Sequence, residues 1–229
     1  MPGKERVRLT ALSGAILLAA IGTFSISGQH RSPVAPRDEQ LQAVVSDAYA
    51  MFKNDTSGKN ADYIPYLAHV NPKLFGIAVV TTDNQAYTLG DIDYSFSLQS
   101  ISKVFTLALV LQELGADQVF AKIGSEPTGR PFNSVSAVVD MPTHTGNPLV
   151  NAGAIATTSL VPGKDADEKW SRILGFYGKA AGAPLSLINE VYESEAATNQ
   201  GNRALAALLL KYERIYSDPA EAVDGIPGG

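Results

Sequence analysis

The chain has 229 residues, 45% of them hydrophobic and 18% charged, with a formal net charge of −5. This is globular composition at a length where one domain is the default. The acidic balance and dispersed basic residues exclude a nucleic-acid footprint, and the absence of cysteine excludes disulfides, thiolate chemistry and Cys-ligated zinc. The three histidines, His30, His69 and His144, are scattered without a paired spacing that would suggest a metal. No repeat, low-complexity tract, Walker loop, Gly-x-Gly-x-x-Gly or Gly-x-Ser-x-Gly elbow is present.

In chain order, Lys4, Arg6 and Arg8 precede the uncharged stretch LTALSGAILLAAIGTFSIS, residues 9–27. A basic start followed by an apolar run reads as a secretory signal. The run is also near the length of a single membrane span. Residues 1–28 are therefore expected to be a signal peptide that exports the protein to the periplasm or the medium. The alternative is a membrane anchor through residues 9–27. Residues 29–37 are polar and contain proline, and read as a linker ahead of a domain spanning 38–229.

Leu41, Val44, Val45, Ala48 and Phe52 recur at helical spacing and predict a packing helix over 38–53. Residues 54–60 form a loop. The apolar run 75–82, the Asp83-Asn84 turn and the run 85–90 predict a β-hairpin. An apolar helical run follows over 96–115. Residues 124–134 and 141–148 are loop-rich. A small-residued buried helix is predicted over 149–160, further helices over 165–181, 185–197 and 202–216, and the start of another over 218–224. A hairpin followed by many helices predicts α+β architecture, an antiparallel sheet flanked by a helical subdomain.

The sequence FSLQSISKVFTLALVLQELG carries the chemistry, because it holds Ser100 and Lys103 at the start of a helix. Residues three apart share one helix face. A serine hydroxyl needs a neighbouring base to become a nucleophile. Lysine serves as that base when burial and the positive end of a helix lower its pKa. The same helix start favours an oxyanion. Alone the pattern is weak, since average composition gives about one chance Ser-x-x-Lys in a chain this long. A reactive serine at a helix start beside a sheet has a fold-level analogue in the serine β-lactamase and penicillin-recognising type.

Longer blocks are more specific. FGIAVVTTDNQAYTLGDIDYSFSLQSISKVFTLALVLQELG, PFNSV, NPLVNAGAI and SEAATNQGNRALAALLL, in that order, resemble the serine-dependent glutaminases over about 63–224. The resemblance implies a serine β-lactamase-like fold and hydrolysis of L-glutamine to L-glutamate and ammonia. Ser100 would attack the side-chain amide carbon, Lys103 would relay the proton to ammonia, and Tyr63 would assist the shuttle. Asn151, Glu195 and Asn202, with Ser100, would bind the substrate, the last two at its α-amino and α-carboxylate end. The resemblance implies no metal or organic cofactor, and a homo-oligomer for proteins of the family's full length.

Each residue also has a reading outside the family. Tyr63 reads as a half-buried packing tyrosine, Glu195 as part of a solvated acidic face, and Asn151 and Asn202 as helix N-caps. The chain departs from the family pattern in three places. Tyr66 stands where glutamine is common, the leader is unusual, and Lys-Ser/Thr-Gly occurs nowhere. The family pattern runs on for roughly eighty more residues. Those residues are expected to supply sheet strands and a second oxyanion donor, whose loss costs on the order of 10²–10³ in rate. Residues 1–229 alone are thus expected to be poorly stable and nearly inactive. Two other activities fit parts of the sequence. One is a β-lactamase or penicillin-binding acyl-enzyme, against which stands the lack of Ser-x-Asn and Lys-Thr-Gly. The other is a non-catalytic exported protein that binds an amino acid.

Overall fold

Helix α1 (Asp38–Phe52) lies against a hairpin of β1 (Gly76–Val80) and β2 (Ala86–Gly90). The strands pair antiparallel, with Gly76 opposite Gly90, Ala78 opposite Thr88 and Val80 opposite Ala86. Tyr87 is the buried anchor of β2, and its hydroxyl donates to the Asp38 carboxylate at 2.7 Å. Tyr49 of α1 stacks on Phe75 with ring centroids 5.4 Å apart. The hairpin is the whole sheet among the described residues, and both of its edges are open.

This computed structural model describes residues 38–223. The expected signal or anchor (1–28, with its apolar stretch 9–27), the linker 29–37 and residues 224–229 lie outside the described residues.

The remaining elements are helical. After α2 (Pro65–Ala68), a 3₁₀ turn (Gln99–Ile101) runs directly into α3 (Ser102–Leu114). Then come α4 (Ala116–Ile123), α5 (Val135–Asp140), α6 (Asn151–Ser159), α7 (Ala166–Ala181), α8 (Asn189–Ala196), α9 (Gln200–Lys211) and α10 (Pro219–Val223). The architecture is α+β: a helical subdomain beside a small antiparallel sheet.

The core sits in the helical part and is centred on α6, whose residues 152–153 and 155–159 are all buried. Its composition explains its place. A helix of Ala, Gly, Thr and Ser lets α3, α4, α9 and α10 approach closely, and Leu109, Val110, Ile155, Leu205 and Leu209 fill the space between them. Burying each such side chain contributes about 1.5–3 kcal/mol. The closest approach is at Gly153, where a Cβ would lie 1.9 Å from the Asn147 carbonyl oxygen. Gly153→Ala must therefore push α6 off the 147–148 loop. The expected cost is about 3 kcal/mol, a fall in Tm of roughly 6–12 °C, read by thermal unfolding. A melting point unchanged from wild type would show that the loop yields freely.

Several helix limits differ from the sequence expectation for local reasons. The predicted helix 185–197 begins only at Asn189. Helix α7 stops at Gly182, which takes the left-handed conformation (φ 68°), and residues 184–188, beginning at Pro184, form no helix. The predicted helix 202–216 starts two residues earlier and ends at Lys211. Glu213 turns with φ 57°, and Arg214 N–H closes on the Leu209 carbonyl at 2.8 Å. Tyr216 then bonds inward, its N–H to Ser159 Oγ and its hydroxyl to the Lys122 carbonyl, both at 3.0 Å. The helices α4 and α5 were not expected from the sequence; both are short, α4 following α3 after Gly115 alone and α5 lying between the two loop-rich stretches.

Candidate active site

Ser100 sits in the 3₁₀ turn, one residue after a strained backbone. Gln99 has φ 46°, in the left-handed region. Such a conformation in a non-glycine residue costs on the order of 1–3 kcal/mol and persists only where the surroundings hold it. Here the Gln99 amide Nε2 donates to Ser97 Oγ at 3.2 Å and reaches Glu195 Oε2 at 3.4 Å. The turn presents the Ser100 side chain to the cleft at the head of α3.

The Lys103 amine lies one turn on, 3.1 Å from Ser100 Oγ. It also donates to Asn151 Oδ1 at 2.6 Å, and it lies 5.6 Å from the centre of the Phe132 ring. Burial pulls the Lys103 pKa below the ordinary lysine range, and the Glu195 carboxylate partly offsets this. Glu195, on α8, shows the complementary effect. Burial raises its pKa, opposed by the Gln99 hydrogen bond and then by Lys103.

Asn151 is the first residue of α6, where Val150 is the N-cap, so the expected capping role is replaced. Its N–H donates to the Phe132 carbonyl at 2.8 Å, which ties the 131–134 loop across the cleft. Its side-chain Nδ2 donates to Asn202 Oδ1 at 2.9 Å. Asn202 is likewise not a cap, because Asn199 holds that position in α9. The acidic-face reading of Glu195 also gives way: Glu190 and Glu193 are exposed, whereas Glu195 is half-buried and faces the cleft.

Tyr63 lines the same cleft but is 64% exposed. Among the described residues its hydroxyl makes no hydrogen bond to Ser100 or Lys103. It is carried by the turn before α2. Buried Ile64 and a bond from the Tyr66 N–H to Ser194 Oγ, at 3.0 Å, dock that turn on α8. All six residues singled out in the sequence thus line one cleft of about 310 Å³. That is the low end of the range for small-ligand sites, about 300–1,000 Å³.

The comparisons with known proteins agree with this geometry. The family model described as Glutaminase matches residues 58–226. The chain belongs to the glutaminase family. A glutaminase of Colwellia psychrerythraea (strain 34H) is 51% identical over 184 residues, covering 80% of this chain and 59% of that protein. A solved structure of a probable glutaminase, ybaS, superposes with a TM-score of 0.80 at 47% identity, over 83% of this chain and 62% of that one. A probable glutaminase from Bacillus subtilis, complexed with 6-diazo-5-oxo-L-norleucine, superposes with a TM-score of 0.68 at 29% identity, over 84% of this chain and 57% of that one. The chain thus spans about three fifths of the length of these relatives, and the fold is that of the β-lactamase-like glutaminases.

Within this glutaminase-family cleft, the structure adds residues to which the sequence reading gave no role. Gln99 was read only as part of the serine block, and nothing in its identity signals a left-handed backbone. Phe132 and Asn133 fell in the PFNSV block, and Asn199 in the block around Glu195; all three line the cleft. Among the described residues no cluster of His, Asp and Glu could hold a metal ion. The arrangement offers a nucleophile, an adjacent desolvated base and an anion half-buried across the cleft. That set suits acyl transfer on a small cationic or zwitterionic substrate.

Proposed function

We propose that the cleft binds L-glutamine and hydrolyses its side-chain amide to L-glutamate and ammonia through a Ser100 acyl-enzyme. The observation that carries this reading is the 3.1 Å approach of the Lys103 amine to Ser100 Oγ, in a half-buried setting opposite Glu195.

In this reading neutral Lys103 takes the Ser100 proton as Oγ attacks the amide carbon. The negative charge that develops on the carbonyl oxygen is met by the head of the helix, including the Ser100 N–H. Collapse breaks the carbon–nitrogen bond, and the proton held by Lys103 leaves with ammonia. Water then attacks the ester, giving its proton to Lys103; the bond to Ser100 Oγ breaks, Lys103 returns the proton to Oγ, and glutamate departs. Glu195 pairs with the α-ammonium group. Asn151 and Asn202 hydrogen-bond the polar ends of the substrate, and Tyr63 helps to carry protons at the open side of the cleft. Export through residues 1–28 belongs to the same proposal; among the described residues no helix is long and apolar enough to cross a membrane.

The test is glutamine-dependent ammonia release by the purified protein, with glutamate measured in parallel and 6-diazo-5-oxo-L-norleucine as a covalent probe read by mass spectrometry. A stoichiometric adduct on Ser100 is expected, with ammonia and glutamate released in equal amounts at the low rate expected of residues 1–229 alone. A protein that takes up glutamine in calorimetry yet forms no adduct and no ammonia would be a binding protein, and the hydrolase reading would fall.

Glu195→Gln isolates the recognition step. It removes an ion pair worth about 1.5–3 kcal/mol, so KM should rise roughly 10–100-fold. It also removes the anion that holds the Lys103 pKa up, so the acid limb of the pH–rate profile should move to lower pH. An unchanged KM would show that the carboxylate does not meet the substrate.

A further inference from the structure

One cleft residue has no part in the reaction as written. Asn199 ends an unbroken run of side-chain hydrogen bonds that begins at the lysine. Lys103 Nζ donates to Asn151 Oδ1 at 2.6 Å, Asn151 Nδ2 to Asn202 Oδ1 at 2.9 Å, and Asn202 Nδ2 to Asn199 Oδ1 at 2.7 Å. Every link donates in the same direction, away from the amine.

Asn199 is the N-cap of α9, yet its side chain makes no capping hydrogen bond. An N-cap asparagine ordinarily accepts from the backbone N–H two or three residues on, which stabilises a helix by about 1 kcal/mol. Here the oxygen takes the side-chain N–H of Asn202 instead. The helix forgoes its cap, and the amide of a cleft residue is held in one orientation.

That orientation matters because a side-chain amide has two nearly isosteric settings, related by exchange of its oxygen and nitrogen. With the Asn199 oxygen turned to it, the Asn202 amide presents its NH₂ to Asn199 and its oxygen to Asn151. Asn151 must then turn its own NH₂ to Asn202 and its oxygen to Lys103. With one amine hydrogen held there, the lone pair of neutral Lys103 is left for the Ser100 hydroxyl. We propose that Asn199 is a positioning residue: it sets the polarity of the Asn202–Asn151 amide run and so aims the Lys103 lone pair at Ser100. The inference rests on the reading of Lys103 as the base for Ser100.

The ionisable groups that face Lys103 are Glu195 of α8 and Tyr63 ahead of α2. Helix α7 presents Tyr177, bonded to the carbonyl of neighbouring Ser102 at 3.0 Å. Helices α6 and α9 and the 131–134 loop offer it Asn151, Asn202 and the Phe132 ring.

The test uses Asn199→Ser and Asn199→Asp. Serine is a favoured N-cap, so Asn199→Ser keeps or improves α9, but its shorter side chain leaves the Asn202 amide unheld. Aspartate still accepts at the end of the run and adds an anion. The first readout needs no turnover: the midpoint of the Lys103 Cε resonance in ¹³C-lysine-labelled protein, assigned by its loss in Lys103→Met. Freed amides stabilise the ammonium form less well, so Asn199→Ser should lower the midpoint by roughly half a unit. Asn199→Asp should raise it. The second readout is ammonia release, where Asn199→Ser should lose about tenfold in kcat, with Asn199→Asp recovering most of it above its own midpoint.

A residue that only caps the helix predicts an unchanged midpoint and kcat in Asn199→Ser, and that result overturns the proposal. A midpoint moved by aspartate and not by serine also overturns it, because charge alone would explain the shift. If the wild type forms no Ser100 adduct and releases no ammonia, the hydrolase reading falls, while the titration still decides the amide run.

Discussion

Ser100→Ala is expected to abolish glutamine-dependent ammonia release and adduct formation, with kcat down on the order of 10⁴-fold or more. Among the described residues no other serine lines the cleft, and Thr198, which does, donates its hydroxyl to the Ser194 and Glu195 carbonyls. Ser102 follows at the first position of α3, and its carbonyl bonds to Thr106 and Tyr177 on the core side. Ser97 is held by the Gln99 amide. Ser100 is exposed at the end of its helix, so its loss removes no packing, and the melting temperature should stay within about 2 °C of wild type. Loss of activity without loss of stability separates the nucleophile from a structural serine. Ammonia release that survives the substitution would mean that another group, or activated water, attacks the amide.

Lys103→Met should cost about 10²–10⁴ in kcat. Methionine keeps the length and apolar contact of the lysine stem near Phe132 and removes only the amine. The pH dependence adds an independent check. Lys103 acts when neutral, so the rate of the wild type rises with pH through the folded-state pKa of the lysine. Burial places that pKa below the ordinary value of 10.5, and Glu195 partly opposes the shift. The acid limb should therefore lie below the lysine range and should vanish in Lys103→Met. A limb that persists in the variant would belong to another group, and the assignment of the base would fail. The same limb should shift when the surroundings of the amine change: Glu195→Gln lowers it, and Asn199→Asp raises it.

How legible was this site before the fold was known? Ser100 and Lys103 could be paired because three residues along a helix is a local distance, set by the helix itself. The β-hairpin was equally local. The runs on either side of the Asp83-Asn84 turn predicted β1 and β2, and they pair as expected. Glu195 could be named only through resemblance. Its neighbours Glu190 and Glu193 are exposed acids on the same short helix, and no feature of the local sequence separates the three. The asparagines show the limit more sharply. Read locally, Asn151 and Asn202 looked like caps; in the structure Val150 and Asn199 occupy those positions. A one-residue or three-residue error in a helix start exchanges a capping residue for one that faces the cleft.

The sequence by itself determined the class of the fold, the hairpin, the main helices and the serine–lysine pair, because each depends on contacts within a few residues of chain. Only the tertiary structure decided which polar groups meet. Lys103, Asn151 and Asn202 are 48 and 51 residues apart along the chain, yet they form one hydrogen-bonded run. Small-residued α6 is what lets α3 and α9 come close enough for that. The strain at Gln99, the half-burial of Glu195 and the end of the run at Asn199 follow from the same packing. Desolvation and amide orientation are properties of what surrounds a group, and those surroundings come from distant parts of the chain.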